Sequence, residues 1–228
     1  MSSELKPVVR AGGLRRGDEI AGHRTHVGTV GRSEVVAVQI GIGTAAATTV
    51  TEQFLDAYRV DHVVVVGIAG GVGGVHPLGG RIAPEIVLDG ASGATFRPHP
   101  LGAETMTRSG SLLTGDELIR DPARLAELQR DGVVALDMET ASVAAVCDAR
   151  DLTWSVERAI SDLDDDDAID EELSSTAGPD GTPDLRAVAR YVAKHPGKVR
   201  HLARLGRQMQ VAARVAADAA ISGIRQLD

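Results

Sequence analysis

Cysteine is nearly absent. Cys147 is the single one in 228 residues, so a disulfide framework is excluded and a reducing compartment is expected. It lies in an Ala/Val helical pattern and reads as a small buried hydrophobe, not a catalytic thiol. No apolar run approaches a membrane span. The polar opening Met1-Ser2-Ser3-Glu4-Leu5-Lys6 is no signal peptide, and a cytoplasmic protein is expected. Positive charge is also short. Twenty-four Lys and Arg face 32 acids, for a net charge of −8, which leaves no basic field to draw in nucleic acid or an anionic membrane. A small uncharged or zwitterionic substrate suits this balance better.

Several site signatures are missing too. Among seven histidines only His23 and His26 are neighbours in sequence, with no third ligand nearby to complete a zinc site. The acidic run starting at Asp162 has Asp167 and Leu173 where an EF-hand loop needs Gly and Glu. No metal site is expected. Neither a G-x-x-x-x-G-K-S/T phosphate loop nor a G-x-S-x-G elbow occurs, and there is no internal repeat.

What is present is the grammar of an α/β protein. At 43% hydrophobic, the chain is long enough for one domain burying roughly three quarters of its unfolded surface. Residues 1–228 read as that domain, with 174–228 a helical extension after a Ser/Gly/Pro linker at 174–183. Strands are expected at 35–40, 63–66, 86–88, 133–136 and 154–160. Helices are expected at 44–58, 138–150, 185–194 and 198–224. The four valines from Val63 to Val66 are typical of a strand covered on both faces of a parallel sheet. With the strand and helix before them they form a β-α-β unit. The stretch from Gly90 to Ser109 reads as a long loop or β excursion of the kind that covers sites. The last helix carries Leu202, Leu205, Met209, Ala212 and Val215 on one stripe, and its arginines read as a solvated face.

Two glycine turns and two acidic strand ends carry the chemistry. Gly41-Ile42-Gly43-Thr44-Ala45-Ala46 matches a loose dinucleotide fingerprint, but the next strand ends in Gly67-Ile68, without the acid that would hold a ribose diol. A nicotinamide enzyme stays a weaker alternative. Gly67-Ile68-Ala69-Gly70-Gly71 would let a planar group or a sugar approach the backbone closely. Asp137-Met138-Glu139 and Arg158-Ala159-Ile160-Ser161-Asp162 each put a carboxylate at the carboxyl end of a strand, where open α/β sheets bind ligands. The crossover rule places both at one edge of the sheet.

In order and spacing, Gly41-Ile42-Gly43, Gly67 to Gly71, Ala135 to Ala141 and Arg158 to Asp162 resemble the purine nucleoside phosphorylase and nucleosidase superfamily, most nearly the methylthioadenosine/S-adenosylhomocysteine nucleosidases. The likeness covers about residues 30 to 168. It implies a three-layer α/β/α sandwich of the phosphorylase/hydrolase-like type, with a central mixed sheet and flanking helices. It also implies cleavage of a ribosyl N-glycosidic bond, with no cofactor, in a homodimer whose interface would include the helix at 44–58. Glu139 would bind the ribose hydroxyls, Met138 would pack on the sugar, and Asp162, oriented by Ser161, would protonate the departing purine at N7. Asp137, Ile68, Ala69, Gly70, Leu118 and Ile119 complete the implied substrate site. Leu118 replaces the usual stacking aromatic, and Ile68 the usual serine. Glu4 aligns with the family's general base, which follows a strand not found here, so that either the start lies upstream or Glu4 is loosely held.

The chemistry suits these residue types. A purine anion leaves poorly unless a proton is supplied, and the sugar acquires cationic character that carboxylates stabilise. Asp162 must hold a proton near neutral pH, and Asp164 to Asp167 would raise its pKa. Glu139, in the first turn of a helix, is expected as an anion favoured by the helix dipole. Phosphorolytic relatives resemble one another in an Arg and a hydroxyl that bind phosphate. Val65 and Ile68 occupy those places, so water is the expected nucleophile. Phosphorolysis is the alternative, because Pro179 to Leu185 and the helices after it resemble a branch loosely called phosphorylases. A weakly active nucleoside-binding protein is the third reading.

Overall fold

A computed structural model describes residues 2–102, 108–163, 190–191 and 194–227. The chain opens with helix α1 (Ser2–Gly12), followed by an antiparallel sheet of β1 (Arg15–Ile20), β2 (His23–Val30) and β3 (Ser33–Val38). Its two hairpins turn at Ala21-Gly22 and Gly31-Arg32, where Ala21, Gly22 and Gly31 take positive φ. Such turns match the twist of the strands they join. After α2 (Thr44–Ala57) come β4 (His62–Gly71), β5 (Arg81–Ile82), β6 (Ile86–Asp89), β7 (Thr95–Phe96) and β8 (Ser111–Thr114). Helix α3 (Pro122–Arg130), β9 (Val133–Asp137), α4 (Thr140–Asp148), β10 (Thr153–Leu163) and the long α5 (Val199–Ile224) complete the order.

Seven strands form the central mixed sheet in the order β5-β10-β4-β9-β8-β6-β7. On one face α2 and α4 cover a core of Ala47, Val65, Ala141, Ala144, Val156 and Ile160. On the other, α1 and α5 cover Ala159, Ala212, Ala216 and Ile221. This is the three-layer α/β/α architecture that the family resemblance implies. Cys147 is fully buried in the first core, and burial pushes its thiol up to about 12, with Asp148 adding to the shift.

Four expectations are corrected. The sequence pattern joins β3 and β4 in one β-α-β unit, whereas among the described residues β3 pairs only with β2 and belongs to the separate three-stranded sheet. The hairpin at Gly31-Arg32 fixes that pairing locally. The valine run is not covered on both sides either: Val65 is buried while Val63, Val64 and Val66 are partly open, and among the described residues β4 has a strand neighbour on one edge only along most of its length. The crossover argument also fails in its premise. The strands β9 and β10 are antiparallel, with β4 between them. Their acidic ends still converge, because β9 overlaps β4 only at its carboxyl end, Leu136 opposite Gly70, and the chain then turns back toward Gly67. Finally, Glu4 is not loosely held: it sits in the first turn of α1. The acidic run 164–167, the linker 174–183 and most of the helix at 185–194 lie outside the described residues.

Candidate active site

The site is organised around Arg158, an arginine at 3% exposure on a central strand. A buried guanidinium is tolerable only if its donors and charge are matched. Here Nη2 bonds Asp137 at 2.5 Å, the Thr140 hydroxyl at 2.9 Å and Glu139 at 3.4 Å. Nη1 bonds the Ile68 carbonyl at 3.1 Å and lies 3.8 Å from Glu4. Burial works against the charge of Arg158, but Asp137, Glu139 and Glu4 outweigh it and keep the group protonated. Asp137 is locked further by hydroxyl bonds from Thr114, at 2.6 Å, and from Thr140.

Glu139 lies at the cap position just ahead of α4, where its side chain makes no capping bond to that helix. Instead the Gly43 amide donates to it at 3.3 Å. Its pKa is raised by burial, with Asp137 and Glu4 adding to the rise and Arg158 and the Gly43 amide opposing it. The expected net favouring of the charged form by its place at the helix start is not seen, because burial is the largest influence. Glu4 accepts a 2.9 Å bond from the Ile68 amide.

Across the glycine turn stands the second acid. Asp162 pairs with Gly70 because Ser161 is an extra residue in β10, a bulge of the kind that re-aims side chains beside sites. The Ser161 hydroxyl donates to Asp162. The floor between the acids is Gly67-Ile68-Ala69-Gly70. Arg158 stands opposite Gly67 and Asp162 opposite Gly70, so the two groups lie about 10 Å apart along the strand. A methyl on Gly67 would fall 2.2 Å from Arg158 Nη1 and 2.5 Å from Glu4 Oε1, whereas one on Gly70 would meet Asp162 Oδ2 at 3.4 Å. Only the bare backbone leaves room for the charged cluster.

The remaining predicted residues divide. Met138 lies half-buried between the two acids of its segment, and Ala69 is buried beneath the floor. The side chain of Ile68 packs against the α5 face with Ala159, Ala212 and Ala216, so Ile68 meets the site through its backbone alone. Ile119 packs toward the α3 core, and Leu118 is 52% exposed. Sequence reasoning gave no role to Arg158, Thr114, Thr140 or Asp116. Asp116 takes both the amide (2.7 Å) and the hydroxyl (2.5 Å) of Thr44, tying the Leu118 loop to the start of α2. The signal available for Arg158 was its place inside an otherwise apolar strand, where a cation demands partners.

Among the described residues no group of three or more His, Cys, Asp or Glu could hold a metal ion, and no helix is long and apolar enough to cross a membrane.

Comparisons with known proteins bear on the family and the fold. A family model described as the phosphorylase superfamily matches residues 1–193. A 5'-methylthioadenosine/S-adenosylhomocysteine nucleosidase of Actinobacillus succinogenes is 32% identical over 168 residues, covering 62% of this chain and 73% of the relative. One from Exiguobacterium is 26% identical over 178 residues, covering 66% and 76%. In structure, the chain matches a mutant Helicobacter pylori nucleosidase with 5'-methylthioadenosine in the active site, with a TM-score of 0.75 at 18% identity, covering 100% of this chain and 96% of the other. It matches the futalosine hydrolase of the same organism equally well, at 0.75 and 18%, covering 100% and 95%. At such identities the structural likeness shows the fold.

Proposed function

The chain belongs to the phosphorylase superfamily, and from that premise we propose that it hydrolyses the N-glycosidic bond of a purine nucleoside of the methylthioadenosine or S-adenosylhomocysteine type. The observation that carries this reading is the spacing of Glu4, Glu139 and Asp162 along the bare floor from Gly67 to Gly70. About 10 Å of strand suits a ribose at one end and a base at the other.

In this reading Glu139, steered by Arg158 and the Gly43 amide, accepts hydrogen bonds from the ribose diol, with Met138 against the sugar. Asp162, oriented by Ser161, gives its proton to N7 as the C1′–N9 bond breaks and its electron pair leaves with the base. Water adds to C1′ and loses a proton to Glu4. The products are the free base and a ribose derivative. General acid catalysis of this type contributes about 10²–10⁴-fold. Acid–base groups suffice, and no cofactor is called for.

Water is preferred to phosphate because the side chains of Val65 and Ile68 are packed in the two cores, and Arg158 is already surrounded by carboxylates. A phosphate dianion there would meet net negative charge. The protein is further taken to be a cytoplasmic homodimer, with the partly exposed face of α2 in its interface. Incubation with methylthioadenosine, S-adenosylhomocysteine and inosine should release free base without phosphate. Strict phosphate dependence would establish phosphorolysis instead, and ligand-dependent thermal stabilisation with no product would establish a binding protein.

A further inference from the structure

Two neighbouring amides at the start of α2 hold two carboxylates from distant parts of the chain. The Gly43 amide donates to Glu139 Oε1 at 3.3 Å. The next amide, that of Thr44, donates to Asp116 Oδ1 at 2.7 Å, and the Thr44 hydroxyl donates to Asp116 Oδ2 at 2.5 Å. The first turn of a helix leaves such donors unmatched and attracts anions. Here the cap residue is Gly43, which has no side chain to take them up. Its φ of 90° and ψ of 161° lie in a region open essentially to glycine alone. Glycine is equally free to leave it. The hold on this turn therefore comes from Asp116, which grips the following residue with both oxygens.

Asp116 is anchored on its other side as well. It follows β8 by two residues, where the Thr114 hydroxyl donates to the Asp137 carboxylate at 2.6 Å and the Gly115 amide to the Asp137 carbonyl at 3.0 Å. Asp137 accepts from Arg158 Nη2, which also reaches Glu139 Oε2 at 3.4 Å. These bonds close a ring that leaves Asp116 through Thr44 and Gly43 and returns to it through Glu139, Arg158 and Asp137. Within the ring each Glu139 oxygen has its own holder, Arg158 for Oε2 and the Gly43 amide for Oε1. Two holders fix the plane of a carboxylate, whereas one leaves it free to turn.

We propose that Asp116 is a positioning residue for Glu139, holding the first turn of α2 so that the Gly43 amide stays aimed at Glu139 Oε1. Asp116 meets no reacting atom and acts only through that turn. In the nucleosidase reading, on which this part rests, the same contact joins the loop carrying Leu118, on the base side, to the carboxylate that grips the ribose diol. A base that settles the loop thereby also sets the partner of the sugar.

Charge and hydrogen bonding give opposite signs at Glu139. The groups facing it are Arg158 from β10, Asp137 from β9, Glu4 from α1 and the Gly43 amide. Losing a donor to the charged form raises a carboxyl pKa. Losing the nearby negative charge of Asp116 would by itself lower it.

The test uses the full chain with Asp116→Ala and Asp116→Asn. Carbon-13 NMR titration follows the Glu139 carboxyl, assigned with Glu139→Gln, beside Tm and the KM and kcat for methylthioadenosine. Asparagine keeps an acceptor for the Thr44 amide and a polar partner for its hydroxyl. The Ala form should raise the Glu139 pKa by about 0.5–1 pH unit, part of the worth of a charged hydrogen bond. It should also raise KM by about three- to tenfold with a smaller change in kcat. The Asn form should match the parent in both. An unchanged or lowered pKa in the Ala form would overturn the proposal, leaving a helix cap whose loss shows in Tm alone. An Asn form as impaired as the Ala form would overturn it too. Titration needs no turnover, so absence of product from every form would remove the nucleosidase reading while the titrations still decide the role of Asp116.

Discussion

Arg158→Met is the most revealing perturbation of the site. Methionine matches the length of the arginine stem but leaves Asp137, Glu139 and Glu4 without their shared cation. Arg158 is nearly inaccessible and touches Asp137 at 2.5 Å and Glu139 at 3.4 Å. Removing one partner from a buried charge cluster costs about 3–5 kcal/mol, against a total stability of about 5–15 kcal/mol. For a chain of this size that lowers Tm by roughly 6–20 °C. The loss should depend on pH, with a sign set by the carboxyls. Burial already raises the Glu139 pKa in the fold, and Arg158 is the largest influence opposing that rise. A carboxyl whose folded pKa lies above its unfolded value, near 4.3, favours the fold when neutral. That contribution is complete below the unfolded pKa and disappears as pH rises through the folded one. The variant should therefore be most destabilised at pH 7–8 and recover toward pH 5. Urea unfolding of both proteins at pH 5, 6, 7 and 8 measures this. A loss under about 1 kcal/mol at pH 7, or one that is the same at every pH, would refute the placement of Arg158 among buried carboxylates.

Two further outcomes follow from the same geometry. Gly67→Ala forces a methyl to within 2.2 Å of Arg158 Nη1 and should cost about 1–3 kcal/mol together with most activity. Gly70→Ala, whose methyl meets Asp162 at an ordinary 3.4 Å, should leave stability within about 0.5 kcal/mol and act on KM; thermal melts and steady-state kinetics separate the two. Glu139→Gln removes a carboxylate disfavoured by burial, so its Tm at pH 8 should equal or exceed that of the parent. Losing charged hydrogen bonds worth about 1.5–3 kcal/mol should meanwhile raise KM for the nucleoside by roughly ten- to a hundredfold, and a fall in Tm with unchanged KM would contradict this.

Much of the architecture was legible because local pattern carried it. The valine run before Gly67, the small-residue helix after Glu139 and the apolar strand from Trp154 each announce their element, and all lie where expected. The strands β1 and β2 did not, because Arg15 to Val30 alternates charged and polar residues in a sheet with little core behind it. Sheet membership was harder still. Nothing in the residues of β3 says that it pairs with β2 alone, since pairing is set by which edges meet in space. At the site, the acids were visible as strand-end carboxylates. The position of Asp162 depends on a bulge at Ser161, and the hub at Arg158 depends on contacts reaching from residue 4 to residue 158, which no local pattern records. The direction of the Glu139 pKa shift was missed for the same reason: the helix terminus is visible in sequence, whereas burial is not.

The central claim is that the side chain at 162 delivers the proton that releases the base. The most direct measurement is methylthioadenosine cleavage by Asp162→Asn beside its affinity for the intact nucleoside, taken by calorimetry on the same preparation. The account predicts that turnover falls by about 10²–10⁴-fold while binding changes little. Turnover near the parent rate would contradict it.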